Sequence, residues 1–146
     1  MKIDFTNSLK QRILFELGEE LKVRCIFQSG SSLFFDNFHD MDFVVLVDNL
    51  NESWGKFKWG FKIKQFEWID KRVDCFLWDT AEYAEHIAKG TVPHYVSIST
   101  LWVIKHPEYI CYGSIPKEWE DFDWEKSLTN IVIANHKRSG RCVQSV

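Results

Sequence analysis

Residues 42–47, DFVVLV, are nearly all apolar, which marks a central strand covered on both faces. A strand of that kind calls for layers of structure on either side of a sheet. It opens on Asp40-Met41-Asp42. Strand side chains alternate with period two, so Asp40 and Asp42 share a face, with Cα atoms roughly 6–7 Å apart. Paired carboxylates on a rigid strand suit a hard divalent cation such as Mg²⁺. Just upstream, residues 23–27 (VRCIF) read as a short strand running into Ser29-Gly30-Ser31-Ser32. A Gly-Ser turn there is a candidate phosphate cradle. The two features together point to metal-assisted phosphoryl chemistry.

Other elements follow from periodicity. Leu9, Ile13, Leu14, Leu17 and Leu21 fall at helical spacing, which predicts a helix over 7–20 capped by Asn7 or Ser8. Residues 31–38 read as a short helix or irregular turn ending at Asp36-Asn37, and residues 48–51 break the central strand. Residues 57–68 alternate apolar residues with Lys or Gln, the pattern of a half-exposed strand or hairpin, with Gly60 as a turn or bulge. Residues 71–78 (KRVDCFLW) form the next strand, on which Asp74 shares a face with Phe76 and Trp78. A helix over 79–89 is capped by Asp79 or Thr80. Residues 97–106 fit helix or strand, and Pro107 ends either. Trp124, Leu128, Ile131 and Val132 make the apolar stripe of a helix over 124–137, with His136, Lys137 and Arg138 complementing its dipole. Residues 139–146 read as a loose tail.

At 146 residues, without a repeat or a linker, the chain reads as one domain. Its motif-bearing core runs over about 7–89 and its helical C-terminal part over about 97–138. The predicted class is α/β (α+β in layer terms), a mixed, twisted sheet of four or five strands with helices mainly on one face. A net charge of −3 does not announce a nucleic-acid binder, although a local basic patch would serve one. Cys25, Cys75, Cys111 and Cys142 show no CxxC pairing or zinc spacing, and Cys25 and Cys75 read as small buried hydrophobes. A reducing cytoplasm is the expected compartment, with neither signal peptide nor membrane span.

The order strand, Gly30-Ser31, a ten-residue step to Asp40-Met41-Asp42 on a strand, and a lone Asp74 on a later strand is similar to the nucleotidyltransferase superfamily that includes DNA polymerase β. The similarity covers residues 23–78 and is that of the minimal members. It implies that Asp40, Asp42 and Asp74 are the catalytic carboxylates and hold two Mg²⁺ ions, with Mn²⁺ as a substitute. It implies further that Gly30, Ser31 and Ser32 meet the phosphates of an NTP such as ATP. Asp74 would complete the second ion's ligands and help remove the acceptor proton.

Two departures stand out. Ser32-Leu33-Phe34-Phe35 follows Gly-Ser where many small members place a basic or second small residue, and His39 precedes the first Asp where many have Ser. Lys56, Lys58, Lys62, Lys64, Lys71 and Arg72 supply either a basic wall for triphosphate or polynucleotide, or the plain alternation of an exposed strand. Lys62 and Lys64, which share a strand face, are the favoured nucleotide-binding pair. His86, His94 and His106 lack metal-ligand spacing, and the tryptophans read as core.

The expected function is Mg²⁺-dependent transfer of a nucleoside monophosphate from an NTP to a hydroxyl of RNA or tRNA, a protein or a small molecule. The competing reading is an inactive domain that keeps the fold and binds nucleotides or a partner. By family analogy, a toxin–antitoxin or defence role with a helical partner, or a homodimer, is a third.

Overall fold

A computed structural model describes residues 7–35, 40–50, 61–89, 94–123, 125 and 129. The expected helix over 124–137, the tail over 139–146, and His39, Lys56, Lys58 and Gly60 lie essentially outside the described residues. The element order is α1 (Asn7–Leu17), β1 (Val23–Ser29), α2 (Ser31–Phe34), β2 (Asp40–Val47), β3 (Phe61–Trp68), β4 (Lys71–Asp79), α3 (Thr80–Lys89), α4 (His94–Lys105) and β5 (Ile110–Gly113). Single 3₁₀ turns at Pro107–Tyr109 and Lys117–Trp119 flank β5.

The five strands form one mixed sheet in the order β3-β4-β2-β1-β5. β2 is central, parallel to β4 and antiparallel to β1, while β3 and β5 pair antiparallel as the edges. The apolar run of β2 explains its place. Met41, Phe43, Val45 and Val47 point into one core, and Val44 and Leu46 into the other.

Each face is closed by helices whose apolar positions recur at helical spacing. On one side Leu9, Ile13 and Leu17 of α1 cover Phe43, Val45 and Leu77. Helices α2, α3 and α4 cover the other side, where Leu33, Tyr83, Ile87, Val103 and Trp119 pack on Phe27, Val44 and Leu46. Helices therefore lie mainly on one face. Tyr83 stacks on Trp119 at 5.2 Å, and its hydroxyl is hydrogen-bonded to Thr100 of α4, so α3, α4 and the second 3₁₀ turn are tied together.

Caps and turns set the element ends. Gly18, at φ +86°, ends α1 with its N–H donating to the Leu14 carbonyl. Asp79, rather than Thr80, caps α3, its Oδ1 accepting from the N–H groups of Ala81 and Glu82 at 3.1 Å each. β3 and β4 are joined by Ile69-Asp70, both at positive φ (44° and 62°), the handedness a two-residue hairpin turn requires.

The segment left open between helix and strand is helix through Lys105, the greater part of α4. Residues 110–113, to which the sequence pattern assigns no element, add the fifth strand against β1. Both belong to the second half of the chain, which returns to the sheet formed by the first.

Candidate active site

Strand register assembles the site. Ser29 on β1 stands opposite Asp42 on β2, Asp42 opposite Asp74 on β4, and Asp74 opposite Gln65 on β3. This polar row crosses four strands. The row toward the core is Phe27, Val44, Phe76 and Ile63, and the row away from it is Asp40, Arg72 and Glu67. Phe27 and Val44 belong to the core under α3 and α4, so the three carboxylates lie on that face of the sheet.

Gly30 turns the chain from β1 into α2 with φ +69° and ψ −158°, a region that only glycine occupies readily. The missing side chain has a second use. A Cβ on Gly30 would overlap Asp42 Oδ2 and come within 3.1 Å of Asp42 Cβ. The main chain of the Gly-Ser turn is thus seated directly on the Asp42 carboxylate.

The turn is held from beneath. Gln28 is fully buried, and its Nε2 donates to the Ser32 carbonyl at 2.9 Å and to Ser32 Oγ at 3.2 Å. Ser32 Oγ in turn donates to the Ser29 carbonyl at 3.3 Å. Ser32 therefore has a positioning role inside the protein, whereas Ser31 is exposed beside the carboxylates. Replacing Gln28 by alanine leaves the buried Ser32 carbonyl short of its donor and is expected to cost about 1–3 kcal/mol in urea unfolding. A loss below about 0.5 kcal/mol would show that the backbone alone holds the turn.

Electrostatics at the row are dominated by excess negative charge. The Asp42 carboxyl is pushed from an ordinary 3.8 up to about 6, chiefly by burial, then by the charges of Asp74 and Asp40 and a hydrogen bond with Asp74; Arg72 opposes the shift. Asp74 is buried. Arg72 Nε lies 3.1 Å from each Asp74 oxygen and hydrogen-bonds Oδ2, while Oδ1 is buried and makes no hydrogen bond among the described residues. Arg72 Nη2 donates to Asp40 Oδ2 at 2.9 Å.

The raised Asp42 value has a signed consequence. Between pH 4 and 6 the folded protein holds a proton on Asp42 that the unfolded chain releases. Its contribution to stability is therefore complete below about pH 3.8 and lost as pH rises through about 6. Metal-free wild type should lose about 1 kcal/mol over that interval relative to Asp42→Asn, after allowance for screening at a partly exposed group. Parallel unfolding curves from pH 4 to 7 for the two proteins would contradict the assignment.

Beside the row opens a cavity of about 450 Å³, lined by Gly30, Ser31, Phe34, Phe35, Asp42, Ile98 and Ser99. Its walls are largely apolar, with Ser31, Ser99 and the Asp42 carboxylate as the polar groups. Phe34, on the cavity wall, meets Trp102 of α4 edge-on at 5.8 Å. No family model matches the chain, and no curated protein matches it in sequence. The reading of the site rests on its geometry.

Of the sequence-derived residues, the fold brings Gly30, Asp40, Asp42 and Asp74 together and puts Ser31 on the cavity wall. The lysines are placed differently. Lys64 shares a strand face with Phe66, which packs in the α1 core, and its Nζ lies 3.8 Å from Glu16 of α1. It therefore stands on the opposite face of the sheet from the carboxylates. Lys62, two residues along, is opposite Leu77 in register. Arg72, also of the basic group, reaches Asp40 and Asp74. Ile98 and Ser99 lie on a segment whose class the sequence leaves open, so the second wall had no signal. Gln65 was readable only once the β3–β4 register was known.

The donor types suit a hard divalent cation: of the three carboxylates, Asp74 has a buried oxygen with no hydrogen bond among the described residues, and Asp42 is one whose ionisation its acidic neighbours oppose. The arrangement as it stands does not close around one. Among the described residues no three His, Cys, Asp or Glu side chains are grouped to hold a metal ion. Arg72 lies between Asp40 and Asp74. Among the described residues no helix is long and apolar enough to cross a membrane.

Proposed function

We propose that this protein is a metal-dependent nucleotidyltransferase that moves a nucleoside monophosphate from an NTP to a hydroxyl acceptor and releases pyrophosphate. The observation that carries the reading is the row Asp42–Asp74, with Asp40 beside it, under a Gly-Ser turn whose glycine admits no side chain. Two Mg²⁺ ions held by Asp40, Asp42 and Asp74 would neutralise charge on the attacking and leaving oxygens of an in-line displacement at phosphorus.

The chain's own residues then have separate tasks. Gly30 lets the phosphates approach the main chain, and Ser31 donates to a phosphate oxygen. The adjoining cavity, with Phe34, Phe35 and Ile98 on its walls, has room for the nucleoside end of the donor. The acceptor oxygen forms a bond to the α-phosphorus as the bond to the bridging oxygen breaks. Asp74 takes the acceptor proton, and pyrophosphate leaves with the electron pair.

A second reading is supported by Arg72. A guanidinium paired with two of the three carboxylates is also how a structural ion-pair network looks, and a domain that binds nucleotide or a partner without turnover would keep it. Calorimetric titration with each of the four NTPs, with and without Mg²⁺, separates the readings. The catalytic reading expects Mg²⁺-dependent NTP binding that Asp74→Asn abolishes in a folded protein. Affinity unchanged by removing Mg²⁺ and by Asp74→Asn would favour the binding protein.

A further inference from the structure

Arg72 occupies a built position. It lies opposite Asp40 in the parallel β2–β4 register and two residues before Asp74 on the same strand, so both carboxylates fall on its own face of the sheet. Its planar fork uses one nitrogen for each partner, Nη2 to Asp40 at 2.9 Å and Nε to Asp74 at 3.1 Å. The next residue across, on the edge strand, is Glu67. One cation thus stands among three acidic positions.

Arg72 and Asp74 differ in exposure. The Asp74 side chain is 6% exposed and fixed on an inner strand, whereas the Arg72 side chain is 53% exposed. The exposed guanidinium can turn to water, but the buried Asp74 carboxylate needs a cation in its place, so Arg72 leaves as another cation arrives. The Asp74 carboxylate cannot follow it, whereas Asp40, with its side chain 41% exposed, meets water where it stands. What remains when it leaves is the mutual repulsion of Asp40, Asp42 and Asp74.

We propose that Arg72 is a tethered counter-ion that occupies the divalent-cation position of the carboxylate site and is displaced when the cation arrives. The proposal rests on the metal-dependent reading above. It accounts for a guanidinium standing between Asp40 and Asp74, opposite one and two residues from the other. It also makes metal entry a competition: a divalent ion must outbid a single positive charge already at the site. Metal bound together with a triphosphate has an advantage, because the displaced guanidinium then has phosphate oxygens to turn to.

The test is Mn²⁺ binding to the full chain without nucleotide, read from the loss of the free-ion EPR signal. Arg72→Gln removes the charge while keeping a polar stem, and is expected to tighten Mn²⁺ binding about tenfold, the effect of removing one like charge a few ångströms away in a partly solvated site. Arg72→Lys keeps the charge without the fork and should fall between. A merely structural Arg72 predicts the opposite sign, since loosening the strands weakens the site. In the wild type, Mg²⁺ should also shift the Arg72 Nε–H signal in ¹H–¹⁵N spectra and speed its exchange with water. That spectrum needs no variant to fold. Wild-type binding with no gain in Arg72→Gln, or an Arg72 signal indifferent to bound Mg²⁺, would overturn the proposal and leave the metal site standing. No Mn²⁺ bound by wild type or Arg72→Gln at millimolar concentration would remove the metal-dependent reading and this proposal with it.

Discussion

An Asp42→Ala protein is expected to fold and to lose nucleotidyl transfer by about a thousandfold or more. Fold and activity separate here because the Asp42 carboxylate is poorly placed for stability. Burial and the charges of Asp74 and Asp40 all disfavour its ionised form. Removing it relieves that repulsion while leaving Phe43, Val45 and Val47 of the same strand in the core. The chemistry has no such slack. Metal-assisted charge neutralisation at a transferring phosphoryl group supplies several kcal/mol, and about 4 kcal/mol corresponds to a thousandfold in rate. Circular dichroism with a thermal melt reports the first half of the expectation, and single-turnover transfer with saturating donor the second. Retention of more than a tenth of the wild-type rate in a folded Asp42→Ala protein would exclude Asp42 from the chemistry.

Gly30→Ala is expected to damage both stability and the site. The φ of +69° with ψ −158° costs a non-glycine residue on the order of 1–3 kcal/mol by itself. The added Cβ also overlaps Asp42 Oδ2, so either the turn or the carboxylate must move. Neither moves freely, since Gln28 and Ser32 hold the turn and the sheet holds Asp42. The expected loss is about 3 kcal/mol, with donor binding weakened at the same time. A double-mutant cycle tells the two causes apart. Truncating Asp42 to alanine removes the overlapping oxygen, so Gly30→Ala should cost at least about 1 kcal/mol less in that background. Strict additivity would mean that the dihedral angle alone makes position 30 a glycine.

Sequence and structure agree where a pattern is dense and local. The unbroken apolar run of β2 leaves little choice but a central strand, and period two then puts Asp40 and Asp42 together without knowledge of any neighbour. The same rule puts Asp74 on the face of Phe76 and Trp78. Agreement ends where a partner elsewhere decides. β5 is only Ile-Cys-Tyr-Gly, and its strand character comes from hydrogen bonding to the edge of β1, which no pattern in four residues can announce. α4 buries Ser99 and Thr100 and exposes Ile98, so its apolar residues do not line one face. The β3–β4 turn uses Ile and Asp where glycine or asparagine would have signalled it. The lysine reading turned on which face of β3 looks toward the carboxylates. The sequence of β3 has apolar residues at both parities, Phe61 and Ile63 on one and Phe66 and Trp68 on the other. Only the packing of Phe66 and Trp68 against the α1 core fixes the face of Lys64.

Nucleotidyl transfer is tested by incubating wild type and the Asp40→Ala/Asp42→Ala double variant with each α-³²P-labelled NTP, Mg²⁺ and total cell extract. Label is expected on a discrete acceptor with wild type only, which would also identify the preferred base and the acceptor's size class. Labelling equal in the two proteins, or Mg²⁺·NTP binding by wild type with no label transferred from any of the four nucleotides, would contradict it.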